Sequence, residues 1–372
     1  EDIERAKFKK SNEAFLVSKR DNYHCMGSFM SSNLFFQGMM YLVTLVYGGY
    51  LIAQGEMQTA DLAMYALYIG IFISPIQILV ELVEMMQKGL SGFRRFLDVM
   101  ETESEIRDAD NAAELTDVKG HVRYDHVSFH YSDDETPVLS DISIDIPAGK
   151  SIALVGPSGS GKTTICSLLP RFYDVTGGQI TLDGKDIRRI SMEELREEIG
   201  FVPQKGVLFS GTIASNLRFG KADATDEDIK EAAEIAQATE FIETKKEKYD
   251  SPIAQGGSNV SGGQKQRLSI ARAIAKNPKI FIFDDSFSAL DLKTDAALRK
   301  ALASKVTDST VIIVAQRIST ILHAEQILVM DEGRIVGKGT HEELMRNCEV
   351  YQQIAKSQMS AKELGIDGKE EA

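Results

Sequence analysis

Nine consecutive residues, Gly156-Pro157-Ser158-Gly159-Ser160-Gly161-Lys162-Thr163-Thr164, have the composition of a phosphate-binding loop. They fit the pattern G-x-x-x-x-G-K-[ST], the P-loop, and they lie in the context that pattern requires. The apolar run Ser151-Ile152-Ala153-Leu154-Val155 precedes them as a buried strand, and Ile165 to Leu169 follows as an apolar helix. The glycines let backbone N–H groups turn inward around phosphate oxygens, and a helix N-terminus adds the positive end of its dipole. Lys162 is placed to reach terminal phosphates and Thr163 to offer its hydroxyl to Mg²⁺. A second apolar run, Ile280-Phe281-Ile282-Phe283, ends on the carboxylate of Asp284. This is the pattern of a strand that brings a metal-shell acid beside the loop. A solvent-facing Asp at a strand end is the bland alternative, and the four apolar residues before it speak against that reading. The two segments together imply a site for ATP with Mg²⁺.

The elements that must position these residues come next. Around the loop, β-rich and helical segments alternate, the pattern of an α/β domain. Strands are expected at Lys279 to Phe283 and Thr310 to Ala315, and a hairpin at Gln326 to Met330 and Arg334 to Gly337, across Asp331-Glu332-Gly333. Upstream the chain changes character. Between Arg20 and Lys88 there is no Lys or Arg. Two uncharged apolar runs, Phe29 to Ala53 and Leu62 to Val80, predict membrane spans over about 29–53 and 62–83, each near the roughly 20 residues needed to cross a bilayer. Both basic flanks are expected on the cytoplasmic side and the acidic link 54–61 outside. A pair of buried soluble helices would be shorter or carry more charge. Pro75 is expected to kink the second span, and Asn33, Gln37 and Gln77 could line a cavity or bond between helices.

A two-helix hairpin cannot enclose a polar pathway in lipid, so further membrane helices are expected before residue 1 or from a partner. The chain opens at Glu1 inside a charged helical pattern, which suggests truncation at the N-terminus. The expected division is a partial all-α membrane domain over 1–100, an acidic linker over 101–120, a nucleotide-binding domain over 121–360 and a polar tail over 361–372. A net charge of −13 over 372 residues argues against nucleic acid as a partner. Cys25, Cys166 and Cys348 have no metal-ligand spacing and read as reduced thiols facing the cytosol.

Val260-Ser261-Gly262-Gly263-Gln264, followed by Lys265-Gln266-Arg267-Leu268-Ser269-Ile270-Ala271-Arg272-Ala273, resembles the signature motif of ABC ATPases. The resemblance covers about residues 121 to 350, and the hairpin fits the fifth and sixth helices of the exporter family. It implies a P-loop α/β domain with a β-subdomain and a helical subdomain, preceded by an incomplete six-helix membrane domain. It also implies two such domains meeting head to tail, with Ser261, Gly262, Gly263 and Gln264 capping the γ-phosphate held by the other domain. Tyr131 matches the family's adenine-stacking aromatic, against a bland reading as a strand-edge Tyr. Gln204 matches the residue that touches Mg²⁺ and links the site to the membrane domain. Asp291, in Ser288-Ala289-Leu290-Asp291, matches the residue near the partner's P-loop.

Two positions depart from the family pattern. Its catalytic carboxylate after Asp284 is normally Glu and here is Asp285; its switch histidine is here Gln316, in Ala315-Gln316-Arg317-Ile318-Ser319-Thr320. Asp is one methylene shorter, so its oxygen retreats by about 1 Å, a misplacement that can cost on the order of a hundredfold in rate. Gln can donate a hydrogen bond to the γ-phosphate but cannot carry an imidazolium's charge or share a proton with the base. Gln255, usually Glu, and Val260, usually Leu, are softer departures. The pattern resembles the degenerate-site subunit of a heterodimeric exporter of hydrophobic cargo, multi-pass in the cell membrane with its ATPase domain in the cytoplasm. A homodimer with Asp285 as a slow base, or an ATP-gated regulator, are the alternatives; the hairpin and the acidic charge oppose a soluble ABC ATPase acting on nucleic acid.

Overall fold

A charge-poor apolar run without proline continues the helix that precedes it, and the first element accordingly spans α1 (Asp2–Ala53), 52 residues. After a short turn, Asp61 closes a capping box on Gln58 and starts α2 (Thr59–Met100), which continues through Pro75. The computed structural model describes residues 2–132, 136–322 and 324–358, with the side chains of Ile3, Ile76, Gln77, Val80, Val83 and Glu84 also outside the described set. The chain divides into two compact units, 1–103 and 104–372.

In the first unit α1 and α2 pack against each other through small residues. A Cβ on Gly48 would meet Leu62 at 2.5 Å, and one on Gly70 would meet the Tyr41 hydroxyl at 3.2 Å. Phe36, Val46, Leu67 and Phe72 remain exposed, so the pair leaves most of its apolar surface uncovered. Among the described residues α1 alone is long and apolar enough to cross a membrane, and α2 contributes a shorter apolar stretch, Thr59–Pro75. Gln37 donates to Asn33 Oδ1 at 3.2 Å within α1, so these two amides satisfy each other along one helix. The role expected of Gln77 concerns a side chain outside the described set.

The second unit begins with β1 (Val122–Phe129), β2 (Leu139–Ile146) and β3 (Ser151–Val155), then α3 (Lys162–Leu168), β4 (Gly177–Leu182), β5 (Lys185–Asp186), α4 (Met192–Glu197) and β6 (Ile199–Val202). A mostly helical stretch follows: β7 (Gly211–Thr212), α5 (Ile213–Arg218), α6 (Asp226–Ile235), α7 (Thr239–Glu243), β8 (Pro252–Ile253) and α8 (Gly262–Ala275). The chain then forms β9 (Ile280–Asp284), α9 (Leu292–Lys305), β10 (Thr310–Val314), α10 (Ile318–Ile321), β11 (Gln326–Asp331), β12 (Arg334–Gly339), α11 (His341–Asn347) and α12 (Glu349–Gln358). Strands β2-β1-β4-β5 form one antiparallel sheet. A second, in the order β12-β11-β3-β10-β9-β6, is parallel except at β12. Its central strands are apolar on both faces, as a sheet covered on both sides requires; Ile152, Leu154, Phe281, Ile282 and Phe283 are all buried.

Register decides what meets at the sheet's end. Val314 of β10 lies opposite both Leu154 of β3 and Asp284 of β9. The loops after these three strands therefore open on one edge, the carboxyl end where open α/β sheets bind ligands.

Residues 104–120, expected as a linker, lie fastened to the second unit. Arg171 donates to Arg107 O at 3.0 Å and bonds Asp174, while Asp108 accepts from Met192 N. Ala113 N donates to Arg189 O, Leu115 N to Glu194 Oε2, and Lys119 N, Gly120 N and His121 N to the carboxylate of Asp183. Beneath α3, Tyr124 donates to Ile165 O, and the neighbouring Cys166 is fully buried, which drives its thiol pKa well above the usual value.

Candidate functional site

The loop between β3 and α3 is shaped by close approach. A Cβ on Gly156 would come within 2.1 Å of Met330 O, and one on Gly161 within 2.6 Å of Leu139 Cδ2, whereas Gly159 faces open space. Lys162 Nζ donates to Gly156 O, Pro157 O and Ser160 Oγ at 3.0, 2.7 and 3.1 Å. Burial lowers its pKa, opposed by the charges of Asp285 and Asp284. The ammonium is thus held across the loop, where phosphate oxygens can replace its carbonyl partners. Ser160 and Thr164 are buried in the cradle, while Ser158 and Gly159 are exposed at its rim.

Thr163 Oγ1 donates to Asp284 Oδ1 at 3.0 Å, joining the two halves expected from the sequence. Asp284 is 4% exposed, and burial raises its pKa against the lowering by Thr163 and Lys162. A hydroxyl and a carboxylate are the hard oxygen donors that suit Mg²⁺. No group of three or more His, Cys, Asp or Glu among the described residues could hold a metal.

Asp285 joins three sequence-predicted residues in one contact. Its Oδ2 accepts from Gln204 Nε2 at 2.9 Å and from Gln316 Nε2 at 2.7 Å. The three lie far apart in sequence and meet because β6, β9 and β10 end together. Asp285 is 6% exposed and sits at φ 48°, a left-handed conformation that Asp tolerates better than most residues. Val314 O accepts from its N–H, and Ser288 donates to its carbonyl, which fixes that backbone. With two amide donors on Oδ2, that oxygen's lone pairs are engaged.

Tyr131 is half-buried, edge-on to Phe129 at 4.9 Å and to Tyr173 at 5.2 Å, and its hydroxyl lies 3.1 Å from Thr164 Oγ1. The aromatic expected for a base therefore belongs to a cluster beside the cradle. Sequence reasoning missed Tyr173; its signal was the aromatic pair Phe172-Tyr173 directly after the P-loop helix.

The signature residues form a separate group. Ser261 caps α8, accepting from Gln264 N while Gln264 Oε1 accepts from Ser261 N. Gly262 is exposed beside them, and a Cβ on Gly263 would meet Ala289 O at 3.5 Å. Asp291 caps α9 through the N–H and hydroxyl of Thr294, and these bonds hold its pKa below the usual carboxylate value. Gln266, also missed, ties this group to the other. Buried at 1% exposure, it donates to Pro203 O and accepts from Gly206 N, the two sides of Gln204. Buried Ser286 donates to Val202 O, a second brace on the same loop.

Residues 139–288 match the family described as ABC transporter, and the second unit contains an ABC nucleotide-binding domain. Relatives match more of the chain. An uncharacterized ABC transporter ATP-binding protein of Bacillus subtilis, YwjA, is 37% identical over 358 residues, 96% of this chain and 62% of its own length. A putative multidrug export ATP-binding/permease protein of the same organism, YgaD, is 38% identical over 347 residues, 93% of this chain and 60% of its length. A solved bacterial Atm1-family ABC exporter with ATP bound is 32% identical with a TM-score of 0.83, covering 97% of this chain and 63% of that one. The chain is similar to ABC exporters throughout, hairpin included, and spans about three-fifths of their length.

Proposed function

We propose that this chain is part of the ATP-binding and permease subunit of an ABC exporter, embedded in the cell membrane by its N-terminal helices with its ATPase domain in the cytoplasm. It binds ATP with Mg²⁺ through Lys162, Thr163 and Asp284, with Gln204 on the metal's shell and Tyr131 against the base. Its own site hydrolyses ATP weakly, and its signature completes a competent site on a different partner subunit, so that the pair exports a hydrophobic substrate. The coupling follows from differential binding. Nucleotide held between the two domains favours their closed arrangement, and hydrolysis at the partner's site resets it.

The observation that supports weak hydrolysis is the contact of Asp285 with both Gln204 and Gln316. A base must be free to take a proton from water at hydrogen-bond reach. Here Oδ2 of the short carboxylate is engaged by two amides, and Gln316 donates without being able to receive the proton onward. The nearly intact signature favours service to a partner, since Ser261 and the two glycines stand at an exposed helix start.

The test is ATP turnover by the full transporter in lipid nanodiscs, with hydrolysis at the partner's own site blocked. Asp285→Glu with Gln316→His is expected to raise turnover at this chain's site on the order of a hundredfold. Rapid turnover by the unmodified chain alone would replace this reading with a homodimer in which Asp285 is a working base.

A further inference from the structure

The segment that carries Gln316 is held by its main chain from two sides. From α9, Arg299 donates to Ser319 O and Thr320 O at 3.2 and 3.4 Å, oriented by two bonds to Asp295, which is 1% exposed. From the end of α12, Gln358 Nε2 donates to Gln316 O at 2.7 Å and Gln358 Oε1 accepts from Ile318 N at 2.9 Å. A primary amide carries one donor edge and one acceptor edge. Gln358 uses both on a carbonyl and an N–H two residues apart, as a neighbouring strand would. Helix α12 is itself anchored: Tyr351 and Ala355 are fully buried, packed with Ile318 and Ile321, and His341 Nδ1 lies 2.7 Å from the Tyr351 hydroxyl.

The Gln316 side chain bonds Asp285 Oδ2, so one continuous path runs from α12 through Gln358 and the Gln316 main chain to the acid after β9. We propose that Gln358 is a positioning residue: it sets the placement of Gln316 and thereby the grip of this chain's site on the terminal phosphate. This rests on the reading of Gln316 as a γ-phosphate contact, but not on how fast the site hydrolyses. The C-terminal helix then has a say in nucleotide retention although none of its residues faces the P-loop through a hydrogen bond among those described.

The two nucleotides discriminate positioning from mere stabilisation, because ADP lacks the γ-phosphate. Dissociation of fluorescent N-methylanthraniloyl ATP and ADP would be followed from the assembled transporter in nanodiscs, with binding at the partner's own site blocked. Gln358→Leu removes both bonds and is expected to speed ATP release about fivefold, the effect of a contact worth one hydrogen bond, while ADP release stays within about twofold. Gln358→Glu keeps the size and the bond to Ile318 N but puts a carboxylate against Gln316 O; it should act in the same direction. It decides the matter if the Leu variant fails to assemble. In a Gln316→Ala background neither change should have a further effect, since coupled residues are not additive. Equal acceleration of ATP and ADP, or an undiminished effect in that background, overturns the proposal. Fast hydrolysis by the unmodified site would refute the weak-site reading, and the comparison would then use a non-hydrolysable N-methylanthraniloyl ATP analogue against ADP.

Discussion

The phosphate cradle and the signature turn are both glycine-rich helix starts, yet they are built differently. In the cradle the functional groups bond across elements: Lys162 to the loop before it, Thr163 to β9, Asp285 to the ends of β6 and β10. In the signature, Ser261 and Gln264 bond each other at an exposed turn. The first arrangement is a site in itself. The second is a capped helix start at the surface, which under the function proposed above serves a partner's nucleotide. Gln266 connects the two, reaching from the signature helix to both sides of Gln204.

The largest expected effect lies in the cradle. Lys162→Ala removes the cation held across the loop and should weaken ATP binding by about 3 kcal/mol, on the order of a hundredfold, as titration of the full chain with fluorescent ATP would measure. If affinity falls less than tenfold, the cradle is not the site. Gln266→Leu tests the connection. It leaves Pro203 O and Gly206 N without their partner and should cost about 2 kcal/mol, read as a lower unfolding midpoint in denaturant at unchanged slope. Ser261→Ala tests the independence of the second region. Loss of the cap should cost about 1 kcal/mol of stability while ATP affinity at this chain's cradle is unchanged. Turnover at the partner's site should fall; a fall in this chain's own affinity instead would merge the two regions.

The smallest effect is far from both. The hydrogen bond that His126 Nδ1 donates to Asp141 Oδ1, 2.6 Å away, raises the pKa of this histidine on the outer sheet. A raised histidine stabilises the fold in its charged form. The advantage over His126→Gln should therefore be full below about pH 6.5 and vanish as pH rises through the folded value. Melting temperatures of both proteins at pH 5.5 and 8.5 check this; equal differences at the two values would mean that the pair does not form.

What the sequence made legible was local. The P-loop, the apolar strands β3, β9 and β10 and the β11–β12 hairpin carry their pattern in consecutive residues, and each was found within a residue or two. The contacts among Gln204, Asp285 and Gln316 were legible only through resemblance, because the register that brings them together is a property of three strands. Gln266, Asp183 and Gln358 stayed hidden for a common reason. All three bind main-chain groups remote in sequence, and a carbonyl or N–H leaves no mark on residue type. Residues 104–120 read as a linker because their composition is polar, yet polar residues serve equally well to fasten a segment to a surface.

Cys166 turns this architecture into a clock. Its thiol lies sealed between α3 and the sheet, so a maleimide reaches it only when the P-loop helix lifts. Exposed Cys25 supplies an internal standard for reagent strength within the same chain. The ratio of the two labelling rates would time how often the cradle comes apart, and how far nucleotide slows it, without any engineered probe.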